Sequence, residues 1–192
     1  MYLPGQAIYN PIEIIAEFYD TASMAYKLLL NHGRQVTQKA LQAAARVPHL
    51  KPDTAFIREA AMLHDIGIFM TNTPSLGCTG EHPYICHGYL GRNLLEKRGL
   101  LKHALVCERH VGAGISIADI ERQGLPLPLR DMLPVSIEEQ IICYADKFFS
   151  KLPGKAPRKY SADEILRGLA KFGPDKAGRF QQWTKIFDRH NT

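Results

Sequence analysis

An apolar helical stretch that ends in two polar side chains constrains this chain more than any other segment. In Ala60-Ala-Met-Leu-His64-Asp65-Ile66-Gly67, small and apolar residues run into an adjacent histidine and aspartate. Phe56, Ala60 and His64 share one helical row, and Ile57, Ala61 and Asp65 share the next. Both polar side chains therefore project beside the apolar face. A buried carboxylate is costly unless it is paired or coordinates a metal. Imidazole is the commonest metal-binding side chain, and a carboxylate is a hard anionic donor able to bridge two cations. The dipeptide alone arises often by chance, so its weight depends on ligands elsewhere.

The surrounding pattern is helical nearly throughout, which predicts an all-α fold. Asn10-Pro11-Ile12-Glu13 supplies an N-cap, a proline at N1 and an acid at N3. A helix is expected from there to about Leu30, with a break or kink at Gly33 and a further helix over about 34–47. His32 extends the apolar row Val36, Ala40, Ala44 by one turn, so its side chain faces the core. Asp53 caps a helix expected over about 54–65, with Gly67 as its stop. Residues 71–83 read as a long loop, and such loops are often functional. Helices follow at about 84–97 and 102–110, then a short one at about 116–122 and a Pro-rich loop over 125–134. Ser136-Ile-Glu-Glu139 opens a helix to about Ser150, and Ser161-Ala-Asp-Glu164 opens the last pair, over about 162–171 and 174–188. No strand with sustained alternation, internal repeat or low-complexity tract is evident.

The totals fit one domain with a sizeable core: 192 residues, 45% hydrophobic and 22% charged. No apolar run approaches the roughly 18 residues of a membrane span, and the N-terminus lacks a signal-peptide pattern. Cys78, Cys86, Cys107 and Cys143 are scattered, without a Cys-x-x-Cys pair. That usage argues for a reducing cytoplasmic setting and against a disulfide framework or a zinc finger. The net charge of +5 fits a small anionic ligand. Part of it is concentrated in Lys147, Lys151, Lys155, Arg158 and Lys159, but no basic and aromatic residues interleave as in a strand-binding groove, so no specific nucleic-acid partner is expected.

Six residues stand on or at the ends of these helices, most in apolar rows: His32, His64, Asp65, His87, His110 and Asp146. Four imidazoles and two carboxylates converging in a helical core would hold one or two divalent metals. Asp65, adjacent to one ligand in sequence, is the natural bridge of a two-metal site, in which the ions sit roughly 3.5–4 Å apart.

The order His, His-Asp, His, His, Asp resembles the HD superfamily of metal-dependent phosphohydrolases. His64-Asp65-Ile66-Gly67 matches the HDIG form of its motif letter for letter. His32-Gly-Arg-Gln-Val36 resembles the first-histidine helix, His87-Gly-Tyr-Leu-Gly91 the third-histidine segment, and Tyr144-Ala145-Asp146-Lys147 the closing Ala-Asp motif. The resemblance covers about residues 20–152. It implies a compact HD-type fold with a buried metal site, followed by a helical extension over about 161–188. It also implies hydrolysis of a phosphate ester or anhydride, using metal-bound hydroxide, on a small phosphorylated substrate such as a nucleotide. The cyclic-dinucleotide branch fits less well, because Val111 follows His110 where that branch has paired histidines, and its Gly-Tyr-Pro signature is absent.

The mixed nitrogen and oxygen donors suit iron or manganese first, with zinc, cobalt, nickel or magnesium as alternatives. Asp65, Lys147 and Arg34 are the candidate catalytic residues. Lys147, His82, Arg109 and, further out, Lys151 are candidate substrate contacts. Lys147 reads equally well as a solvated lysine, and Arg34 and Arg109 as surface ion-pair partners. His82, preceding Pro83, is expected extended at the rim. His103 lies two turns, about 10 Å, before His110 and reads as structural. His49 and His190 read as surface residues, Cys86 and Cys107 as core, and Glu108 as solvated or bridging helices. Two other functions share the motif order or the fold: a di-iron oxygenase and a non-catalytic nucleotide-binding module. The oligomeric state, a homodimer included, is left open.

Overall fold

The computed structural model describes residues 9–151 and 159–188. The N-terminal segment read above, Lys155, Arg158 and His190 lie outside the described residues. Among the described residues the chain is all-α, with nine α-helices.

Helix α1, Pro11–Ala16, starts as expected, with Asn10 Oδ1 accepting from the Ile12 amide at 3.1 Å. It does not run on to Leu30. Asp20 Oδ1 captures the Ala22 amide at 2.9 Å, and Ser23 Oγ caps a new helix by accepting from Tyr26 N at 3.1 Å. These short polar side chains offer the backbone a turn that outcompetes a continued helix. Helix α2 then spans Met24–Arg46 and passes straight through Gly33. Gly33 is therefore no break. A Cβ there would lie 3.2 Å from Met62 Sδ and 3.4 Å from Met62 Cα, so this glycine lets α3 pack closely on α2.

Helix α3, Thr54–Leu63, is capped by Asp53, whose Oδ1 accepts from Ala55 N and Phe56 N at 3.0 Å. It ends one residue before His64, and the chain continues as a 3-10 turn over Ile66–Met70. Gly67 lies inside that turn rather than stopping the helix. Its reason is again close approach: a Cβ would lie 2.3 Å from the His87 carbonyl oxygen and 2.5 Å from Gly91 N. The expected loop contains a two-residue hairpin, β1 (Asn72–Thr73) against β2 (Cys78–Thr79), too short to leave an alternating signature.

Helices α4 (His87–Lys97) and α5 (Leu101–Arg109) follow, then α6 (Ile117–Gln123), α7 (Ile137–Asp146), α8 (Ala162–Ala170) and α9 (Pro174–Phe187). Ser161 and Glu164 form the full capping box anticipated for α8. At α7 only half of the box forms. Ser136 Oγ takes the Glu139 amide, while the Glu139 carboxylate turns to Val135 N at 2.7 Å and to Arg109. Helix α7 stops at Asp146, four residues short of expectation.

Two apolar clusters flank the ligand-bearing helix ends. One joins α2, α3 and α7 to the C-terminal helices through Val36, Ile141, Tyr144, Phe180, Trp183 and Phe187. The other joins α1–α5 through Ile15, Leu29, Leu63, Leu95 and Ala104. The Tyr144 and Phe180 rings stack at 5.3 Å, so α9 helps cover the helix that carries Asp146. A buried Lys176–Asp119 ion pair ties α9 to α6.

Breaking a buried ion pair on one side leaves an uncompensated charge, at a cost of about 3 kcal/mol or more. Lys176 keeps Asp175 as a second partner at 2.8 Å, so Asp119→Asn should destabilise the fold by less than that, about 2 kcal/mol, in urea unfolding at pH 7. Burial alone would raise the Asp119 carboxyl, but Lys176 and the Ser116 amide outweigh it and hold it below the usual carboxylate range. That contribution is therefore fully present above about pH 4 and is lost as pH falls below it. The gap between wild type and Asp119→Asn should shrink only in that acid range. Gly67→Ala, which meets backbone rather than a flexible side chain, should cost about 2–3 kcal/mol by the same measurement.

Candidate metal centre

The six ligand candidates converge from five segments. Helix α2 contributes His32, the end of α3 contributes His64 and Asp65, the start of α4 His87, the residue after α5 His110, and the end of α7 Asp146. All are buried, His64 and Asp65 completely. Asp65 stands between two groups and divides its oxygens between them. Its Oδ2 lies 3.1 Å from His64 Nε2 and 3.4 Å from His32 Nε2. Its Oδ1 lies 3.3 Å from His87 Nε2 and 3.2 Å from His110 Nε2. Asp146 Oδ1 closes the first group, 2.9 Å from His32 Nε2 and 3.4 Å from His64 Nε2. Within each group the potential ligand atoms lie within 4.8 Å of one another.

Helix ends explain how three of the imidazoles are aimed. His64 Nδ1 meets the Ala61 carbonyl at 2.6 Å, His87 Nδ1 the Tyr84 carbonyl at 2.6 Å, and His110 Nδ1 the Cys107 carbonyl at 2.7 Å. The Ala61 and Cys107 carbonyls are among the last of α3 and α5, have no partner within the helix and can accept such bonds; the Tyr84 carbonyl, in the 3-10 turn before α4, accepts both the His87 amide and its ring. A proton on Nδ1 leaves the Nε2 lone pair directed inward, the arrangement that metal-ligating histidines use. His32 differs. Its Nδ1 is buried without a hydrogen-bond partner, and Nε2 facing Asp146 sets its ring.

These tautomers make the donor set fit a cation. His87 Nε2 and His110 Nε2 stand 3.1 Å apart, two lone pairs facing each other beside Asp65 Oδ1. Asp65 Oδ1 and His64 Nε2 are buried with no hydrogen-bond partner. Buried polar atoms are almost always satisfied, and acceptors converging without a donor are satisfied by a positive ion. A buried His/Asp cluster able to hold a divalent metal is thus present.

The electrostatics point the same way. Burial pushes the Asp65 carboxyl up, but His64 and Lys151 outweigh it and hold it well below the usual range. Asp146 is held down likewise, by Lys147 and Lys151 against burial. Burial opposes charge on His64, yet Asp65 and Asp146 raise it to about 9. His110 is pushed down to about 3, by burial above all. Two carboxylates in a low-dielectric interior draw positive charge into their midst, and a metal competes with protons for that position.

The cations sort differently from expectation. Lys147 Nζ lies 2.7 Å from Asp146 Oδ2 and donates to the His110 carbonyl at 3.1 Å, bracing two ligand segments. Lys151, expected further out, reaches deepest, with Nζ 2.8 Å from Asp65 Oδ2. The early end of α7 explains this: residues 147–150 turn back instead of extending the helix away. Lys151 also donates to Tyr84 Oη at 3.2 Å. Tyr84 is a site residue that the sequence reading missed. Its carbonyl orients His87 and its ring packs 4.6 Å from the His87 ring. The only sequence signal was its place three residues before a ligand, in the turn after Pro83.

Three candidates are not brought to the centre. Arg34 is exposed on α2, about 200° around the helix from His32, so it leaves on the far side. The Arg109 guanidinium is engaged by both Glu139 oxygens, at 3.0 and 3.1 Å. His82 is extended and exposed, and its backbone is bonded to Met70 and Asn72. His103 pairs with Glu59 at 3.1 Å, away from the ligands, and Cys86 and Cys107 are buried thiols, as expected. Glu108 is buried and bridges helices rather than being solvated. Two spaces adjoin the ligands. One of about 20 Å³ touches His32 and Asp65. The other, about 420 Å³, opens over Asp146, Lys147 and Lys151, with Thr73, Tyr84, Phe149 and Tyr160 on its walls.

Comparison with known proteins agrees with this arrangement. An uncharacterised protein of Methanocaldococcus jannaschii is 32% identical over 146 residues, which cover 74% of this chain and 76% of that protein. A tRNA (cytidine(56)-2'-O)-methyltransferase of Picrophilus torridus is 32% identical over 124 residues, 64% of this chain and 32% of the enzyme. Its namesake from Thermoplasma volcanium is 28% identical over 145 residues, 72% of this chain and 38% of the enzyme. The chain thus spans only about a third of the length of these two methyltransferases. No solved structure matches it. The family model described as HD domain matches residues 29–150, a span that begins just before His32 and ends just after Asp146. The chain belongs to the HD domain family.

Proposed function

We propose that the chain is a metal-dependent phosphohydrolase with a two-ion centre, cleaving a phosphate ester or anhydride of a small anionic substrate. The observation that carries this reading is Asp65, whose two oxygens face separate ligand groups. That is the disposition of a carboxylate bridging two cations. His32, His64, Asp65 and Asp146 would hold one ion, and Asp65, His87 and His110 the other. Divalent ions so held supply an acidified water near neutral pH and polarise phosphoryl oxygens. The nitrogen and oxygen donors suit iron or manganese.

The chain's own residues supply positioning and charge, the main requirements of phosphoryl transfer. Lys147 and Lys151 stand at the cavity over Asp146 and attract the phosphate. Tyr84 Oη accepts from Lys151, which leaves its own proton available to a phosphoryl oxygen. Burial of the ligand cluster excludes bulk water and strengthens each of these interactions. A nucleotide is a fitting substrate, since the cavity walls combine two lysines with the rings of Tyr84, Phe149 and Tyr160. The names of the two methyltransferase relatives, which act on tRNA, agree with nucleotide chemistry. No helix among the described residues is long and apolar enough to cross a membrane.

Metal analysis of the purified protein, followed by anaerobic assay of phosphate release from nucleotides with added manganese, tests the reading. Wild type should release phosphate without oxygen. Asp65→Ala should lose bound metal and at least about 100-fold in rate, because outer contacts alone cost 10–100-fold. Release by Asp65→Ala at the wild-type rate, or oxygen consumption in place of phosphate release, would overturn it. Lys151→Ala should raise KM about tenfold, equivalent to about 1.4 kcal/mol of lost phosphate attraction, while metal content stays unchanged.

A further inference from the structure

Glu108 is an acid with no place in the ligand set, yet it is only 1% exposed. It lies on α5 two residues before His110, and helical geometry turns it away from Asp65. One carboxylate oxygen is bound by Arg92 of α4, and the other accepts from Arg130 Nε at 2.8 Å. Arg92 is five residues beyond His87 on the same helix and is itself steadied by Glu96 at 2.7 Å. Helices α4 and α5 are already nearly in contact beside the ligands. A Cβ on Gly88 would lie 2.8 Å from the Cys107 carbonyl oxygen, the same atom that orients His110.

We propose that Glu108 is a positioning residue for the second ligand pair, fixing the separation of His87 and His110 by clamping α4 to α5 through Arg92. This rests on the two-ion reading given above. His87 and His110 sit at facing ends of the two clamped helices, with Nε2 atoms 3.1 Å apart. Neutralising Glu108 removes the buried charge that holds Arg92 and leaves the partly exposed Arg92 and Arg130 guanidinium groups facing each other without their shared counter-ion. The helices then separate, and so do the two imidazoles. The first ligand group is carried by α2, α3 and α7, none of which Glu108 contacts through a hydrogen bond or ion pair. Arg130 belongs to the Pro-rich connection rather than to a ligand-bearing helix, so its bond to Glu108 is not part of the clamp.

Titration of metal-free protein with manganese, read by electron paramagnetic resonance, separates the two ions. Wild type should bind two per chain, and the second should give an exchange-coupled signal. Glu108→Gln should leave the first affinity within about twofold and weaken the second about 10–100-fold, the range for contacts supporting a ligand. The coupled signal should be missing at two equivalents. Arg92→Ala should act in the same direction and decides the matter if Glu108→Gln does not fold. Arg130→Ala should leave both ions bound as in wild type. Wild-type affinity for the second ion in Glu108→Gln or in a folded Arg92→Ala would overturn the proposal, as would equal weakening of both ions. A wild type that binds one ion would instead overturn the two-ion reading on which it stands.

Discussion

Everything in this structure answers to one buried carboxylate. Asp65 has no exposed surface, and an isolated charge at such depth would cost far more than a domain's net stability allows. It remains ionised because positive or polarisable groups approach it from every side. His32 and His64 face one oxygen, His87 and His110 the other, and Lys151 reaches in from the cavity. The five ligand segments must therefore converge on this point: α3, α4, α5 and α7 start or stop there, and α2 passes alongside with His32 in its middle. The close approaches at Gly33 and Gly67 are the packing consequence, since the helices can meet only where a side chain is missing.

Helix termini make the centre. Three of the four ligand histidines sit where a helix begins or stops, and each spends its Nδ1 proton on a carbonyl three residues back. At Ala61 and Cys107, helix ends that would otherwise leave unpaired acceptors thus satisfy themselves and fix the imidazole tautomer together. The same economy appears at Lys147, which braces Asp146 while donating to the carbonyl of His110. Such dual bonding couples the geometry of each ligand to the packing of its helix. Contacts as remote as Glu108 with Arg92 consequently join the helices that carry His87 and His110.

Much of this could be read from the chain. The six ligand candidates came from helical rows and helix ends, where imidazoles and carboxylates recur together; buried polar residues such as Glu108 and Lys176, by contrast, find ion-pair partners. The helix starts at Asn10, Asp53 and Ser161 were legible because capping is local, decided within three or four residues. Helix ends were less so. Gly33 and Gly67 read as breaks from propensity alone, whereas their cause is a neighbour distant in sequence. The break after Ala16 was missed because Asp20 and Ser23 look, to an eye following apolar period, like solvent-facing positions in a longer helix.

The cations divide along the same line. Sequence adjacency favoured Arg34 and Arg109, but one or two residues along a helix is a rotation of about 100° or 200°, which carries a side chain away from its neighbour's target. Lys151 gained its place through a turn, and Tyr84 through its bond to Lys151 and its packing on His87. The sequence by itself determined the fold class and pointed to the ligand candidates, because period, caps and donor chemistry are local properties written residue by residue. Only the tertiary structure decided that Asp65 divides its oxygens between two groups, that Lys151 rather than Arg34 faces them, and that Glu108 joins the helices behind them. Those are distances between residues far apart in the chain, and packing alone sets them.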